Sequence, residues 1–159
     1  FDELDQNMPV LIAGQTASGK SHLAFEIAEK HGGIIINADA IQVYKNWRIL
    51  TARPSSMDEA KIKHKLYGHI DGTTDYSVGI WIKEVKKILS TNSRPIIVGG
   101  TGLYFSALTN GLVDIPEISE EIRLEADSRI KKNGFESLVG EIDQETVTKI
   151  DKNNPSINE

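Results

Sequence analysis

Eight residues near the amino terminus, Gly14-Gln15-Thr16-Ala17-Ser18-Gly19-Lys20-Ser21, fit the pattern G-x-x-x-x-G-K-[ST]. Each part of that pattern helps to hold a polyphosphate. The glycines let the chain curl so that successive N–H groups point at phosphate oxygens. The N-terminus of a following helix adds about half a positive charge. Lys20 neutralises a phosphate, and the Ser21 hydroxyl can ligate Mg²⁺. A phosphate-hydrolysing protein of this kind usually adds an apolar strand ending in a metal-holding Asp. Here Ile96-Ile97-Val98 ends in Gly99-Gly100, and the carboxylate at a strand end is Asp39, three residues past Ile36. The pattern predicts polyphosphate binding and leaves ATP cleavage open.

The elements around these residues are legible. Pro9–Ala13 is a short apolar run, the pattern of a strand buried on both faces of a parallel sheet. A helix follows from Gly19 to about Lys30, stopped by Gly32-Gly33, and Ile34-Ile35-Ile36 is a second strand. Residues 40–76 are mixed, with a turn at Arg53-Pro54-Ser55-Ser56 and a short helix over Met57–Lys65. Ser77 caps a strongly amphipathic helix carrying Val78, Trp81, Ile82, Val85, Ile88 and Leu89 on one face, and Asn92-Ser93 breaks it. Pro95–Val98 is a third strand, followed by Gly99-Gly100-Thr101-Gly102 and a helix over Leu103–Asn110. This alternation predicts an α/β fold, a P-loop NTPase-like parallel sheet flanked by helices. Residues 1–112 form its core. Residues 113–159 read as a helical insertion or subdomain, with one helix through Ile118, Ile122, Ala126 and Ile130 and another through Phe135, Leu138, Val139 and Ile142.

In such a sheet the turns after the strands gather at one edge, where ligands bind. The phosphate loop, Asp39 and Thr101 should therefore converge. A carboxylate facing a phosphoanion is repelled unless a second substrate lies between them, and Asp39 is placed to deprotonate that substrate. Asp39 also reads as a turn or N-cap residue, and Thr101 as a turn residue satisfying its own backbone.

The composition sets outer bounds. The chain has 159 residues, no cysteine and a formal net charge of −5. Without cysteine it has no disulfide scaffold, thiolate metal site or cysteine nucleophile. No apolar run reaches the roughly 20 residues of a membrane span, and the acidic start FDELDQN is unlike a signal peptide. We therefore expect a cytoplasmic protein with no membrane association. Residues 1–110 hold 12 basic and 11 acidic residues, whereas residues 111–159 hold 6 and 12. Global charge thus neither advertises nor excludes a nucleic-acid partner. Lys61, Lys63 and Lys65, or Lys83, Lys86 and Lys87, are basic groups that read first as solvated surface. The four histidines have no metal-ligand spacing.

Five blocks occur in order: Gly14–Ser21, Asn37-Ala38-Asp39-Ala40-Ile41-Gln42-Val43-Tyr44, Thr51-Ala52-Arg53-Pro54, Gly68-His69-Ile70-Asp71 and Val98-Gly99-Gly100-Thr101-Gly102-Leu103-Tyr104. Together they resemble the tRNA dimethylallyltransferases, also called tRNA isopentenyltransferases, over about residues 8–110. The acidic tail resembles that family's helical insertion, with Arg123 and Asn153-Asn154-Pro155 in matching places. The resemblance implies transfer of a dimethylallyl group from dimethylallyl diphosphate to N6 of adenosine 37 in the tRNA anticodon loop, with Mg²⁺ as cofactor and release of pyrophosphate. It implies Asp39 as the base, with Lys20 and Thr101 in the catalytic set. Gly14, Gln15, Thr16, Ala17, Ser18, Gly19, Lys20 and Ser21 would take the diphosphate, Ser21 ligating the metal. Asp39, Ala40, Ile41, Gln42, Thr101 and Arg123 would meet tRNA, and we expect a monomer. Three departures stand out. Gln15 replaces the family's usual proline, Ala40 replaces its usual serine, and the family continues past Glu159 through an arginine-bearing helix, so this chain reads as a fragment.

The residues leave other readings open. One is an adenylate isopentenyltransferase acting on a free nucleotide. Another is a small-molecule or nucleotide kinase, with Lys20 and Mg²⁺ serving ATP. A third is a non-catalytic phosphate- or RNA-binding module.

Overall fold

The computed structural model describes residues 8–91, 93–112 and 118–149. Asn92, Asn153-Asn154-Pro155, the FDELDQN start and the expected domain junction at residues 112–113 lie wholly or partly outside them. The chain divides into two compact units, Phe1–Val113 and Asp114–Glu159.

The first unit is built on four parallel strands, β1 (Val10–Ala13), β2 (Ile34–Asn37), β3 (His64–Lys65) and β4 (Pro95–Gly99), in the order β1-β4-β2-β3. Leu11 lies beside Ile97 and Ile36 beside Ile97 across the two main pairings. Side chains alternate along each strand, so the sheet has two apolar faces. On one, helix α1 (Lys20–His31) lays Ala24, Ile27 and Ala28 against Ile12, Ile35, Ile96 and Val98. On the other, α3 (Val78–Leu89) and α4 (Gly102–Asn110) bring Trp81, Ile82, Val85 and Tyr104 against Ile34, Ile36 and Ile97. Trp81 stacks on Tyr104 with ring centroids 4.5 Å apart. Ser77 does cap α3, its hydroxyl accepting from the Ile80 N–H at 3.3 Å, and Lys83, Lys86 and Lys87 are exposed.

Two expectations for this unit are corrected. The strand Pro9–Ala13 is not buried on both faces. Among the described residues β1 lies at the end of the strand order, and Leu11, on the α3/α4 side, is 44 % exposed because the apolar cluster on that side is drawn from β2, β4, α3 and α4 and does not reach it. The helix expected over Met57–Lys65 is only α2 (Ser56–Lys61), started by a capping box in which Ser55 Oγ accepts from Asp58 N–H at 3.1 Å. Beyond it the chain extends into β3, because the open edge of β2 offers backbone partners, and Ile35 N–H donates to Lys63 O at 3.0 Å. A two-residue strand carries no periodicity that a sequence could display.

The second unit contains α5 (Glu120–Asn133), α6 (Glu136–Val139) and α7 (Gln144–Lys149). The spacing of Ile122, Ala126 and Ile130 does form one helix, but Ile118 lies ahead of it and Ile122 is 60 % exposed. The helix expected through Ile142 stops at Gly140, because the Asp143 carboxylate caps a new helix through Thr146 N–H at 2.9 Å.

Candidate functional site

The loop after β1 leads straight into α1, whose first turn holds no carboxylate and no side-chain cap. Its leading N–H groups therefore lack an intrahelical partner, the condition for taking an anion. Ala17 and Gly19 stand at φ +62° and +84°, which folds the loop back on itself. Lys20 Nζ donates to the Gln15 carbonyl at 2.9 Å, arching over that loop. Thr16, Ala17, Ser18 and Ser21 are exposed, and a side chain at Gly14 would run into Ser18 Oγ. These features fit a diphosphate. A magnesium ion accompanying it would need little more from the protein than the Ser21 hydroxyl, since Mg²⁺ keeps several waters and takes phosphate oxygens. Among the described residues no cluster of three or more His, Asp or Glu competes for that role.

The ends of β1, β2 and β4 are laced together. Gly14 N–H donates to Gly99 O at 3.3 Å, Ala38 N–H to Val98 O at 2.8 Å, and Thr101 N–H to Ala38 O at 3.2 Å. Gly99 is required there, because a Cβ would lie 2.0 Å from Ala38 O. Thr101 Oγ1 accepts from the Ala40 N–H at 3.0 Å, which leaves its own proton for another acceptor. The predicted convergence of phosphate loop, Asp39 and Thr101 is thus present.

Asp39 combines a local role with an open one. Its Oδ1 accepts from Ile41 N–H at 2.9 Å and Gln42 N–H at 3.4 Å, a turn cap. Its Oδ2 has no hydrogen bond among the described residues and faces Gly100, where a Cβ would stand 3.9 Å from it and 3.3 Å from Gly14 O. One oxygen fixes the side chain while the other lies beside Gly100, which itself neighbours Gly14 at the start of the phosphate loop. Burial pushes up the Tyr104 hydroxyl, with Tyr44 and then the Asp39 charge adding to it. Burial does the same to Tyr67, reinforced by Asp39 and Glu59. Ile41 is 57 % exposed beside Asp39, whereas Ala40 packs partly against the core. Arg123 is exposed on α5. The hydrogen bonds that gather the other residues lie within the first unit, to which Arg123 does not belong.

Two residues of the quoted sequence blocks, given no role by the sequence, help to build this site. Asn37, fully buried, ends an otherwise apolar strand. Its Nδ2 donates to Asp39 O at 2.9 Å and Leu66 O at 3.0 Å, and its Oδ1 accepts from Asp39 N–H at 2.9 Å. A polar residue closing an isoleucine run is the signal that could have singled it out. Arg53 is the other. Its guanidinium donates to backbone carbonyls of Tyr44 and Lys45, which no side-chain pattern encodes. Together with Ser21, Phe25, Tyr67 and Val98 it lines a cavity of about 610 Å³ next to α1.

The IPP transferase model matches residues 42–156, and the isopentenyl transferase model matches residues 8–74. The chain belongs to the IPP transferase family. It is 53 % identical over 154 residues to a tRNA dimethylallyltransferase of Cereibacter sphaeroides strain KD131, covering 97 % of this chain and 49 % of that protein. It is 54 % identical over 155 residues to one from Dinoroseobacter shibae, covering 96 % and 52 %. The chain therefore spans about half the length of the curated relatives it matches. Among solved structures, a tRNA isopentenylpyrophosphate transferase from Bacillus halodurans superposes with a TM-score of 0.65 at 26 % identity, covering 93 % of this chain and 52 % of that one. A eukaryotic dimethylallyltransferase described as acting on tRNA superposes at 0.76 with 27 % identity, covering 91 % and 38 %. The parallel sheet is accordingly the P-loop NTPase-like fold of these IPP transferases.

Proposed function

We propose that the full-length protein transfers a dimethylallyl group from dimethylallyl diphosphate to N6 of adenosine 37 in tRNA, releasing pyrophosphate. In this reading the C1–O bond breaks and its electron pair leaves with the diphosphate, while N6 forms the new bond to C1. The N6 proton passes to Asp39 Oδ2. The loop Gly14–Ser21 and Lys20 hold the diphosphate, whose growing charge meets the free N–H groups of α1. The Ser21 hydroxyl would help to hold Mg²⁺, which would supply further charge neutralisation to that leaving group. Thr101 steadies Ala40 and offers its proton to the acceptor, while Ala40, Ile41, Gln42 and Arg123 meet the anticodon loop. An adenine must leave its stack to be alkylated, so its pocket lies between Asp39 and the phosphate loop. The protein works as a monomer in the cytoplasm.

The observation that carries this reading is the open Asp39 Oδ2 beside Gly100, the residue that neighbours Gly14 of the phosphate loop. A base there serves a nucleophile approaching the bound diphosphate. Such a base contributes about 10²–10⁴-fold to the rate. The test incubates full-length protein with labelled dimethylallyl diphosphate and tRNA and analyses the digested nucleosides. Prenylated adenosine at position 37, lost in Asp39→Ala with donor affinity retained, is the expected result. Product from free AMP, or ATP turnover with a small acceptor, would replace this reading with a nucleotide prenyltransferase or a kinase.

A further inference from the structure

We propose that Arg53 is a positioning residue for Asp39, acting through the segment Gln42–Lys45. The inference rests on the reading of Asp39 as the acceptor of the N6 proton. The Arg53 side chain is only 5 % exposed, and Nη1 donates to Tyr44 O at 3.2 Å and Lys45 O at 3.4 Å. Nη2 lies 3.8 Å from Glu59 Oε1, which anchors the guanidinium to α2. Its flat face lies on Gly68, at φ +52°, where a Cβ would fall 1.9 Å from Nη1. Gly68 in turn donates its N–H to Gln42 O at 2.9 Å, and Gln42 N–H is one of the two donors on Asp39 Oδ1. The Gln42 side chain closes the ring by donating to Thr51 O at 2.7 Å, two residues before Arg53.

This arrangement is held against a cost. Desolvation lowers the Arg53 pKa, with Arg48 adding repulsion and Glu59 opposing both, and its buried Nε finds no partner among the described residues. A buried cation with an unpaired N–H is a poor device for stability alone. What it achieves geometrically is specific: Nη1 reaches two successive carbonyls while Nη2 faces Glu59 and the flat guanidinium lies on Gly68, a combination that a lysine's compact ammonium does not reproduce. With the guanidinium in place, Gln42 cannot drift from Asp39, and Oδ2 stays beside Gly100. Displacement of a reacting group by about 1 Å costs on the order of 100-fold in rate.

The test is a double-mutant cycle in the full-length protein, with kcat and KM for tRNA prenylation measured for wild type, Arg53→Ala, Asp39→Ala and the double variant. We expect Arg53→Ala to lower kcat by about 10- to 100-fold, with KM for the prenyl diphosphate unchanged. In the Asp39→Ala background the same substitution should have no further effect on kcat. Arg53→Lys, which keeps the charge and loses the flat guanidinium on Gly68 and its second nitrogen toward Glu59, should behave like Arg53→Ala. Should Arg53→Ala fail to fold, Arg53→Lys is carried through the same cycle with the same outcomes. If Asp39→Ala slows the reaction and the two effects multiply, the positioning role is overturned and the role of Asp39 stands. An Asp39→Ala protein as fast as its parent would remove the base itself, and this inference with it.

Discussion

Asn37→Asp keeps the shape of a side chain and reverses the sense of two of its hydrogen bonds. Asn37 is fully buried; its Nδ2 donates to Asp39 O and Leu66 O, and its Oδ1 accepts from Asp39 N–H. An aspartate retains the third contact and turns an oxygen toward the two carbonyls. Once protonated, the carboxyl donates to one of the two carbonyls, so one hydrogen bond is lost, a first loss of about 1 kcal/mol. A buried carboxylate facing carbonyl oxygens takes up that proton, and keeping it at pH 7, about three units above the usual aspartate pKa, costs about 4 kcal/mol more. The folded-state pKa of the new group is raised, so the added penalty is absent below about pH 4 and grows as pH rises, by about 1.4 kcal/mol per unit. Urea unfolding followed by tryptophan fluorescence at pH 5 and pH 7 reads this directly. Relative to wild type, Asn37→Asp should lose about 3 kcal/mol more at pH 7 than at pH 5, while Asn37→Ala should show a similar loss at both. An aspartate variant that parallels the alanine variant at both pH values would refute the claim that Asn37 acts as a buried double donor.

Lys20→Ala should weaken binding of the prenyl diphosphate, measured by calorimetry, while leaving tRNA affinity in a filter assay unchanged; loss of tRNA binding alone would contradict its assignment to the phosphate loop. Ser55→Ala removes the hydroxyl that accepts from Asp58 N–H and should cost about 1 kcal/mol in urea unfolding, with catalysis unaltered. The Asp71 carboxyl is held at about 2, chiefly by hydrogen bonds from Lys45 and Thr73. Its folded pKa is depressed, so its contribution is present above the ordinary aspartate range and is lost as pH falls toward 2. Carboxyl NMR should show Asp71 titrating near that value in wild type and higher in Lys45→Met.

The phosphate loop was legible because its chemistry is local: eight consecutive residues, a strand before and a helix after specify the cradle wherever the rest of the chain lies. Asp39 and Thr101 were legible at one remove, since parallel strands place their following turns at one edge. β3 was not, because a two-residue strand is defined by the hydrogen bonds that β2 offers and not by its own side chains. The exposure of Leu11 was equally hidden, as an apolar run reads the same at the edge of a sheet as at its centre.

Side-chain periodicity, the glycine-rich turn and the capping residues, all short-range properties, determined most of the helices and the longer strands, but not β3. Only the tertiary structure decided which oxygen of Asp39 stays open: Oδ1 takes the Ile41 and Gln42 N–H groups, while Asn37 holds the Asp39 backbone and Thr101 Oγ1 the Ala40 N–H. It likewise decided that Arg53 lies buried on Gly68, fifteen residues away, a contact made possible by the absence of a Cβ. Backbone carbonyls and empty volume are what these choices rest on, and neither is written in the identity of any single residue.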